Sequence, residues 1–128
     1  MITAQSQATP YQTLYTNGRH EALADVPPAK GGQDAGLGPH ELIEAGLACC
    51  LSMWYRMQAQ KLGLPLPTVV ATVNLIRDHP EEAVFECEFE LQGDLSKEQK
   101  RQLLEAGQVC PVQKTLSKRL RFVTRFKP

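Results

Sequence analysis

The sequence predicts an α+β fold in a single domain, and three observations support this prediction. Several segments alternate apolar and polar residues with the two-residue period of β-strands, and turn residues separate them. A long segment from about Pro39 to Lys61 is instead apolar nearly all round at its middle, as in a helix that is covered on several sides. The length of 128 residues, about 14.2 kDa, suits one ordinary domain.

Composition and charge exclude several classes of protein. The fractions of 42% hydrophobic and 22% charged residues are typical of a soluble globular protein with a packed core. The 14 basic and 14 acidic residues cancel, which argues against nucleic acid or an anionic membrane as a partner. No apolar run is long enough to span a bilayer and no secretory signal begins the chain, so we expect a cytoplasmic protein whose four cysteines rest as thiols.

The N-terminal third is predicted to contain a hairpin and a loop. We expect residues 1–10 to form a flexible N-terminus and residues 11–128 to form the domain. Strand residues from Tyr11 lead to Asn17-Gly18, a pair favoured in two-residue hairpin turns, and the chain returns as a second strand to Ala24. Arg19 therefore lies at the hairpin tip or just past it. The Pro and Gly clusters between Val26 and Gly38 predict a loop.

The helix that follows is predicted to be the centre of the fold. Pro39 suits the first helical position, and Gly63 with Pro65 marks the end. A domain of this size hides only about two thirds of the surface of its unfolded chain, so a helix that is apolar all round lacks cover. A second subunit would supply that cover, and we therefore hypothesise a homodimer.

The C-terminal half is predicted to contain three strands and two helices. Strands are expected over Val69 to Arg77 and around Phe85 to Leu91, the second with one apolar and one acidic face. Ser96 and Gln99 fit a capping box that opens a helix through Ala106, with Gly107 as a left-handed stop. A short helix, 112–118, and a last strand, 120–126, complete the order.

The four cysteines differ in their surroundings. Cys87 is predicted to pack in the core face of its strand. Cys49 and Cys50 lie about 100° apart on the helix, so we expect that they do not face the same cavity. Cys50 suits either core packing or chemistry, and both interpretations stay open. Cys110 falls at a helix N-terminus, where it is either a weak cap or a thiol whose thiolate form is favoured. No short-range Cys or His spacing suits zinc, so no metal and no cofactor are expected.

Two motifs together resemble the OsmC/Ohr family of thiol-dependent peroxidases. The segment from Gly38 to Met53 matches the proline-led helix entry and the Ala-Ala-Cys segment of that family, and Cys110-Pro111-Val112 matches its Cys-Pro-Val segment. Asn17-Gly18-Arg19 and Gly31-Gly32 also resemble its N-terminal turn and its glycine loop, so the resemblance covers nearly the whole chain.

The resemblance implies a fold, an assembly and roles for individual residues. It implies an intertwined homodimer in which antiparallel sheets wrap two central helices. Cys50 would be the peroxidatic thiolate and Cys110 the resolving thiol, with Arg19 as the positive neighbour that activates Cys50. Organic hydroperoxides are the expected substrates because the expected binding wall is apolar; it comprises Leu47, Met53, Trp54 and Met57. The expected reductant is a small dithiol or a dithiol protein, of which the lipoyl type is one candidate.

One position departs from the family pattern and keeps a second hypothesis open. In the best-characterised branch a glutamate at the position of His40 orients the arginine. Either His40 accepts a hydrogen bond from Arg19, or the arginine is held less firmly and the peroxidase is weak. The alternative function is a non-enzymatic OsmC-fold protein that binds a small apolar ligand or senses redox state. A weaker alternative is a metal- or thiol-regulated interaction module.

Overall fold

The computed structural model describes all 128 residues, and it confirms the α+β class with antiparallel sheets. The chain divides into two compact units, 1–45 and 46–128, with the boundary inside the long helix. The elements in chain order are β1 (Thr3–Ser6), β2 (Thr13–Thr16), β3 (Glu21–Ala24), a short 3-10 helix (Pro28–Lys30), α1 (Pro39–Lys61), β4 (Thr68–Ile76), β5 (Val84–Gln92), α2 (Lys97–Ala106) and α3 (Pro111–Leu116).

The first unit contains a three-stranded antiparallel sheet in the order β1-β2-β3. Its β2-β3 connection is a four-residue loop, 17–20, rather than the predicted two-residue turn. The reason is the Asn17 side chain, whose Oδ1 accepts the backbone N–H groups of Arg19 at 2.9 Å and His20 at 2.8 Å. Arg19 therefore lies at the exposed tip of the hairpin.

The N-terminus forms a strand where the sequence predicts a flexible segment. Residues 3–6 pair in antiparallel register with β2, from Thr3 opposite Thr16 to Ser6 opposite Thr13. All four residues of β1 are exposed. Backbone pairing therefore creates this strand without an apolar face, and so the strand has no periodic signal in the sequence.

A buried carboxylate organises the loop that follows β3. Asp25 is 1% exposed, and its Oδ1 accepts the N–H of Val26 at 2.7 Å. Its Oδ2 accepts the N–H groups of Gln33 at 3.2 Å and Ala35 at 3.1 Å, with Gln12 Nε2 at 3.5 Å. Burial by itself would raise the pKa of Asp25, but these hydrogen bonds reverse the effect and hold the pKa below the ordinary carboxyl value.

The second unit has a hydrophobic core between α1 and the hairpin of β4 and β5. Helix α1 contributes Leu47, Leu51, Tyr55 and Ala59, which recur every four residues along one stripe. The predicted helix bounds are confirmed, as is the capping box of α2, in which Ser96 Oγ accepts the Gln99 N–H at 3.1 Å.

Gly107 ends α2 for a reason different from the predicted one. Its φ is −102°, so it is not a left-handed stop. A Cβ atom at this position would lie 2.3 Å from Cε1 of Tyr55. Glycine is needed here because the aromatic ring packs directly against the backbone.

The predicted last strand is not formed within this chain. Residues 119–128 belong to no helix or strand, and Phe122 and Phe126 are 90% and 89% exposed. The alternation of apolar residues suits a strand, but a strand also needs a partner strand for its backbone hydrogen bonds. Residues 119–128 pair with no strand of this chain, and the β4-β5 sheet keeps only two strands. The preceding helix α3 also ends at Leu116, two residues before its predicted end.

Candidate active site

The structure brings Cys50 and Cys110 together. Cys50 lies in the middle of α1, and Cys110 is the residue that immediately precedes α3. Cys50 Sγ accepts the backbone N–H of Val112 at 3.4 Å, and Cys110 lies close enough to Cys50 for each side chain to influence the ionisation of the pair. The first turn of α3 therefore carries both the second thiol and a backbone donor to the first.

Burial dominates the chemistry of Cys110. Its side chain is 0% exposed, and this burial is the largest cause that raises the pKa of the Cys110 thiol. The amides of Gln113 and Val112 lower the pKa, whereas the neighbouring Cys50 raises it further. The expectation that the helix N-terminus favours a thiolate here is wrong, because desolvation outweighs the amides of one short turn.

Tyr55 forms part of the cover over this thiol. It is buried, and its ring stacks on that of Phe89 with 4.5 Å between ring centroids. Burial raises the pKa of Tyr55, and the nearby Cys110 raises it further. Since Gly107 lets this ring approach the backbone, the end of α2 also contributes to the environment of Cys110.

A cavity of about 280 Å³ opens beside Cys50. The predicted wall residues Met53, Trp54 and Met57 line it, but Leu47 does not. Leu47 is 2% exposed and belongs to the core stripe of α1. The complete lining is Gly46, Cys49, Cys50, Met53, Trp54, Met57, Pro111 and Val112.

Cys49 lines the same cavity as Cys50, contrary to the prediction that the two cannot share one. Lining residues from α1 occur at positions 46, 49, 50, 53, 54 and 57, so the opening extends over an arc wide enough to include two adjacent residues. Cys49 is exposed, whereas Cys50 is partly buried.

Trp54 contributes an unpaired donor to the wall. It is the sole tryptophan of the chain, and its indole Nε1 is buried without a hydrogen-bond partner. A phenylalanine at this position would therefore lose no hydrogen bond. The indole also provides a fluorescent reporter inside the cavity wall.

The prediction for Cys87 is corrected by the structure. Cys87 lies opposite Val73 in the β4-β5 ladder, on the apolar face of the hairpin, but it is exposed. On this face Leu91 is buried and Phe85 and Phe89 are partly buried, whereas Cys87 between the two aromatic residues is exposed. The face is apolar by sequence, yet the core does not cover it at Cys87.

Arg19 and His40 belong to the first unit. Arg19 is at the tip of the β2-β3 hairpin, and His40 is the second residue of α1; both are exposed. The carboxylate of Glu41 caps the helix, because its Oε1 accepts the N–H of Gly38 at 3.0 Å. The roles of Arg19 and His40 stay predictions.

Sequence reasoning missed two groups that the structure makes prominent. The Val112 N–H is a backbone group, and its only sequence signal is its place in the Cys-Pro-Val segment. The sequence assigns Asp25 no role, because this residue directly precedes the segment from Val26 to Gly38, whose composition indicates only a loop. An acidic residue directly before a Gly-rich segment is the available signal, since such a carboxylate can accept several backbone N–H groups.

Two kinds of site or segment are absent. No three His, Cys, Asp or Glu side chains are grouped so that they would hold a metal ion. No helix has the length and apolar character that crossing a membrane requires.

Comparisons with known proteins identify the family and the fold. A family model described as OsmC-like protein matches residues 31–125. An OsmC-like protein from Mycoplasma pneumoniae has a crystal structure that matches with a TM-score of 0.72 at 18% identity, over 91% of this chain and 85% of that chain. No curated protein matches the sequence.

Two further crystal structures have a related fold. An organic hydroperoxide resistance protein from Elizabethkingia anophelis matches with a TM-score of 0.64 at 22% identity, over 91% of this chain and 86% of that chain. An organic hydroperoxide resistance protein OsmC from Legionella pneumophila has a TM-score of 0.64 at 19% identity, over 91% of this chain and 88% of that chain.

Proposed function

The chain belongs to the OsmC-like protein family, and from this premise we propose that it is a thiol-dependent peroxidase that reduces organic hydroperoxides through a Cys50–Cys110 cycle. The observation that carries the proposal is the proximity of the two thiols: Cys50 Sγ accepts the N–H of Val112 at 3.4 Å, two residues after Cys110, and Cys50 and Cys110 interact electrostatically. A second thiol beside the sulfur that a hydroperoxide would oxidise is what a thiol–disulfide cycle requires.

In the first step the Cys50 thiolate attacks the terminal oxygen of a hydroperoxide. The O–O bond breaks, the sulfur is oxidised by two electrons to a sulfenic acid, and the peroxide is reduced to an alkoxide. The alkoxide takes a proton from water and leaves as an alcohol. The apolar wall of Met53, Trp54 and Met57 suits the alkyl group of such a substrate better than it suits water.

In the second step Cys110 resolves the sulfenic acid. Its sulfur attacks Cys50 Sγ, a disulfide forms, and the hydroxyl leaves with a proton as water. The raised pKa keeps Cys110 as a thiol until that moment, which suits a resolving residue rather than a peroxidatic one. Cys49 is a poor substitute, because adjacent Cα atoms are about 3.8 Å apart whereas bridged cysteines usually have Cα atoms about 4.4 to 6.8 Å apart.

Arg19 and His40 complete the proposed site on the basis of the family resemblance. A guanidinium remains charged in any environment and its fork can hold both a thiolate and a peroxide oxygen. We assign Arg19 this activating role and His40 the role of orienting it. Arg19→Ala would slow the first step, and His40→Glu would speed turnover.

We also propose a homodimer, a dithiol reductant and a cytoplasmic location. Exposed apolar side chains lie on α1, among them Met53 and Met57 at 58% and 56% exposure, and in the tail with Phe122. A second copy of the chain would cover them. The disulfide needs two electrons and two protons from a small dithiol or a dithiol protein, of which the lipoyl type is a candidate. All four cysteines are unbridged, which suits a reducing compartment.

The test is a count of free thiols after one equivalent of cumene hydroperoxide is added to the reduced protein. We expect the wild type to lose two thiols, and Cys50→Ala to lose none. Cys110→Ala should stop at a sulfenic acid that dimedone traps at Cys50. Cys87→Ala is the matched control, because this cysteine lies outside the cavity; it should behave as wild type.

Wild-type rates of peroxide consumption in Cys50→Ser would contradict the proposal. Binding of the hydroperoxide without thiol loss would favour the alternative of a non-enzymatic protein that binds an apolar ligand. Equal rates with hydrogen peroxide and cumene hydroperoxide would contradict the organic substrate class.

A further inference from the structure

Sulfur is concentrated at the Cys50 cavity. The chain has four cysteines and three methionines, seven sulfur-bearing side chains in all. Four of the eight lining residues carry sulfur, and Cys110, which interacts with Cys50, adds a fifth sulfur beside the cavity. Only Met1 and Cys87 lie elsewhere. Leucine, isoleucine or phenylalanine would make an equally apolar wall, yet none of them is in the lining. Apolar packing alone therefore does not explain the concentration of sulfur-bearing residues.

Helix geometry divides the two methionines. Met53 is three residues after Cys50, so it lies about 4.5 Å further along the axis and on the same face. Helical side chains lean toward the N-terminus, which directs the Met53 thioether back toward the thiols. Met57 is two turns from Cys50, about 10.5 Å along the axis, and is too distant to share a ligand with it.

Two neighbouring thiols and an adjacent thioether form a soft donor set. Sulfur ligands of this kind select Cu(I), which accepts low coordination numbers, over harder divalent cations. The arrangement does not suit zinc, since a structural zinc site takes four ligands and no three His, Cys, Asp or Glu side chains are grouped for a metal here.

We propose that the reduced protein binds one Cu(I) ion through the thiolates of Cys50 and Cys110 with the thioether of Met53 as the third ligand. Binding displaces the two thiol protons to solvent and leaves the oxidation state of copper and sulfur unchanged. The inference rests on the proposed function in that it uses the same dithiol. Both sulfurs of the peroxidase cycle would be occupied, so Cu(I) would block the reaction with hydroperoxide.

The test is an anaerobic titration of reduced protein with Cu(I) against the chromophoric chelator bicinchoninate. We expect one equivalent to bind, with a change in the fluorescence of Trp54, which lines the same cavity. Loss of the Met53 ligand in Met53→Leu should weaken binding at least as much as loss of an outer-shell partner does, about 10-fold. Cys110→Ala should weaken it further.

Matched controls distinguish Cu(I) binding at the proposed three-sulfur site from unspecific binding of Cu(I) to any thiol. Met57→Leu and Cys87→Ala should each change the affinity by less than about 2-fold, because neither residue lies within ligand distance of the site. Prior oxidation of the protein to the disulfide should abolish binding, and Zn(II) should not compete.

Equal affinities of Met53→Leu and Met57→Leu would overturn the proposal, as would loss of binding in Cys49→Ala with retention in Cys110→Ala. The titration contains no peroxide. A protein that binds Cu(I) but consumes no hydroperoxide would refute the peroxidase alone, and an active peroxidase with no Cu(I) affinity would refute the copper site alone.

Discussion

Asp25 in the first unit and Cys110 in the second are both almost inaccessible to solvent, yet their pKa values move in opposite directions. Asp25 is 1% exposed and has a lowered pKa, whereas Cys110 is 0% exposed and has a raised pKa. Burial opposes the charged form in both cases. The difference lies in the donors that surround each group.

Asp25 accepts three backbone N–H groups and a side-chain amide, enough to stabilise a full negative charge. Cys110 gains less from the amides of a single short turn, and its neighbour Cys50 acts against ionisation. Surrounding donors therefore make the carboxylate a structural anchor of a loop. The scarcity of hydrogen-bond donors around Cys110 keeps its buried thiol protonated until a reaction requires the thiolate.

Removal of the carboxylate should have the largest effect on stability. Asp25→Ala leaves the N–H groups of Val26, Gln33 and Ala35 without their acceptor, so we expect the Tm to fall by about 10 °C. Differential scanning fluorimetry measures this shift. Asp78→Ala, at an exposed turn, should change the Tm by less than about 2 °C. A wild-type Tm in Asp25→Ala would contradict the structural role that the comparison gives to this carboxylate.

An extra methyl group beside Tyr55 should disturb the burial around Cys110. Gly107→Ala places a Cβ atom 2.3 Å from the Tyr55 ring, and overpacking of this kind costs about 1 to 3 kcal/mol of unfolding free energy. Urea denaturation measures the loss, and the alkylation rate of Cys110 should rise with it.

Gly46→Ala is the matched control for that substitution. This helical glycine has no atom within 4 Å of a built Cβ, so alanine should stabilise the chain by up to about 1 kcal/mol through helix propensity. A free energy of unfolding as high in Gly107→Ala as in Gly46→Ala would show that Tyr55 is not tightly packed at this position.

Changes of pH should alter the free energy of unfolding by a smaller amount, and the loss at acid pH and the loss at alkaline pH should have separate causes. The lowered pKa of Asp25 contributes stability above the ordinary carboxyl value, about 3.9, which is lost as the pH falls through the folded-state pKa. The raised pKa of Cys110 contributes stability below the ordinary thiol value, about 8.5, which is lost as the pH rises through the folded-state pKa.

Denaturation measured at a series of pH values separates the two causes. Cys110→Ala should reduce the alkaline loss and leave the acid loss intact, while the raised pKa of Tyr55 maintains part of the alkaline loss. Asp25→Asn should reduce the acid loss alone. An alkaline profile that is the same in wild type and Cys110→Ala would contradict the assignment of that loss to the thiol.

Local signals in the sequence predicted local structure well. The bounds of α1 and the capping box at Ser96 depend on residues a few positions apart, and both are confirmed. The strand β1 was missed because its four exposed residues carry no apolar pattern. The strand predicted around Phe122 has the pattern but no neighbour in the chain.

The candidate site depends on contacts that local patterns do not contain. The approach of Cys50 and Cys110 was implied by the family resemblance and not by spacing. One of the two interpretations of Cys110, the favoured thiolate, has the wrong direction for its pKa, because the helix terminus is visible in the sequence and the burial is not. Asp25 and the Val112 N–H act through the backbone of distant residues, so no local pattern assigns them a role.

The most direct test of the central claim is mass-spectrometric peptide mapping of the protein after one equivalent of cumene hydroperoxide, with free thiols blocked before digestion. We expect a single intramolecular disulfide that joins the peptide of Cys50 to the peptide of Cys110, while Cys87 is recovered in blocked form. Recovery of Cys110 as a free thiol beside an oxidised Cys50, or a disulfide that excludes Cys50, would contradict the proposed cycle.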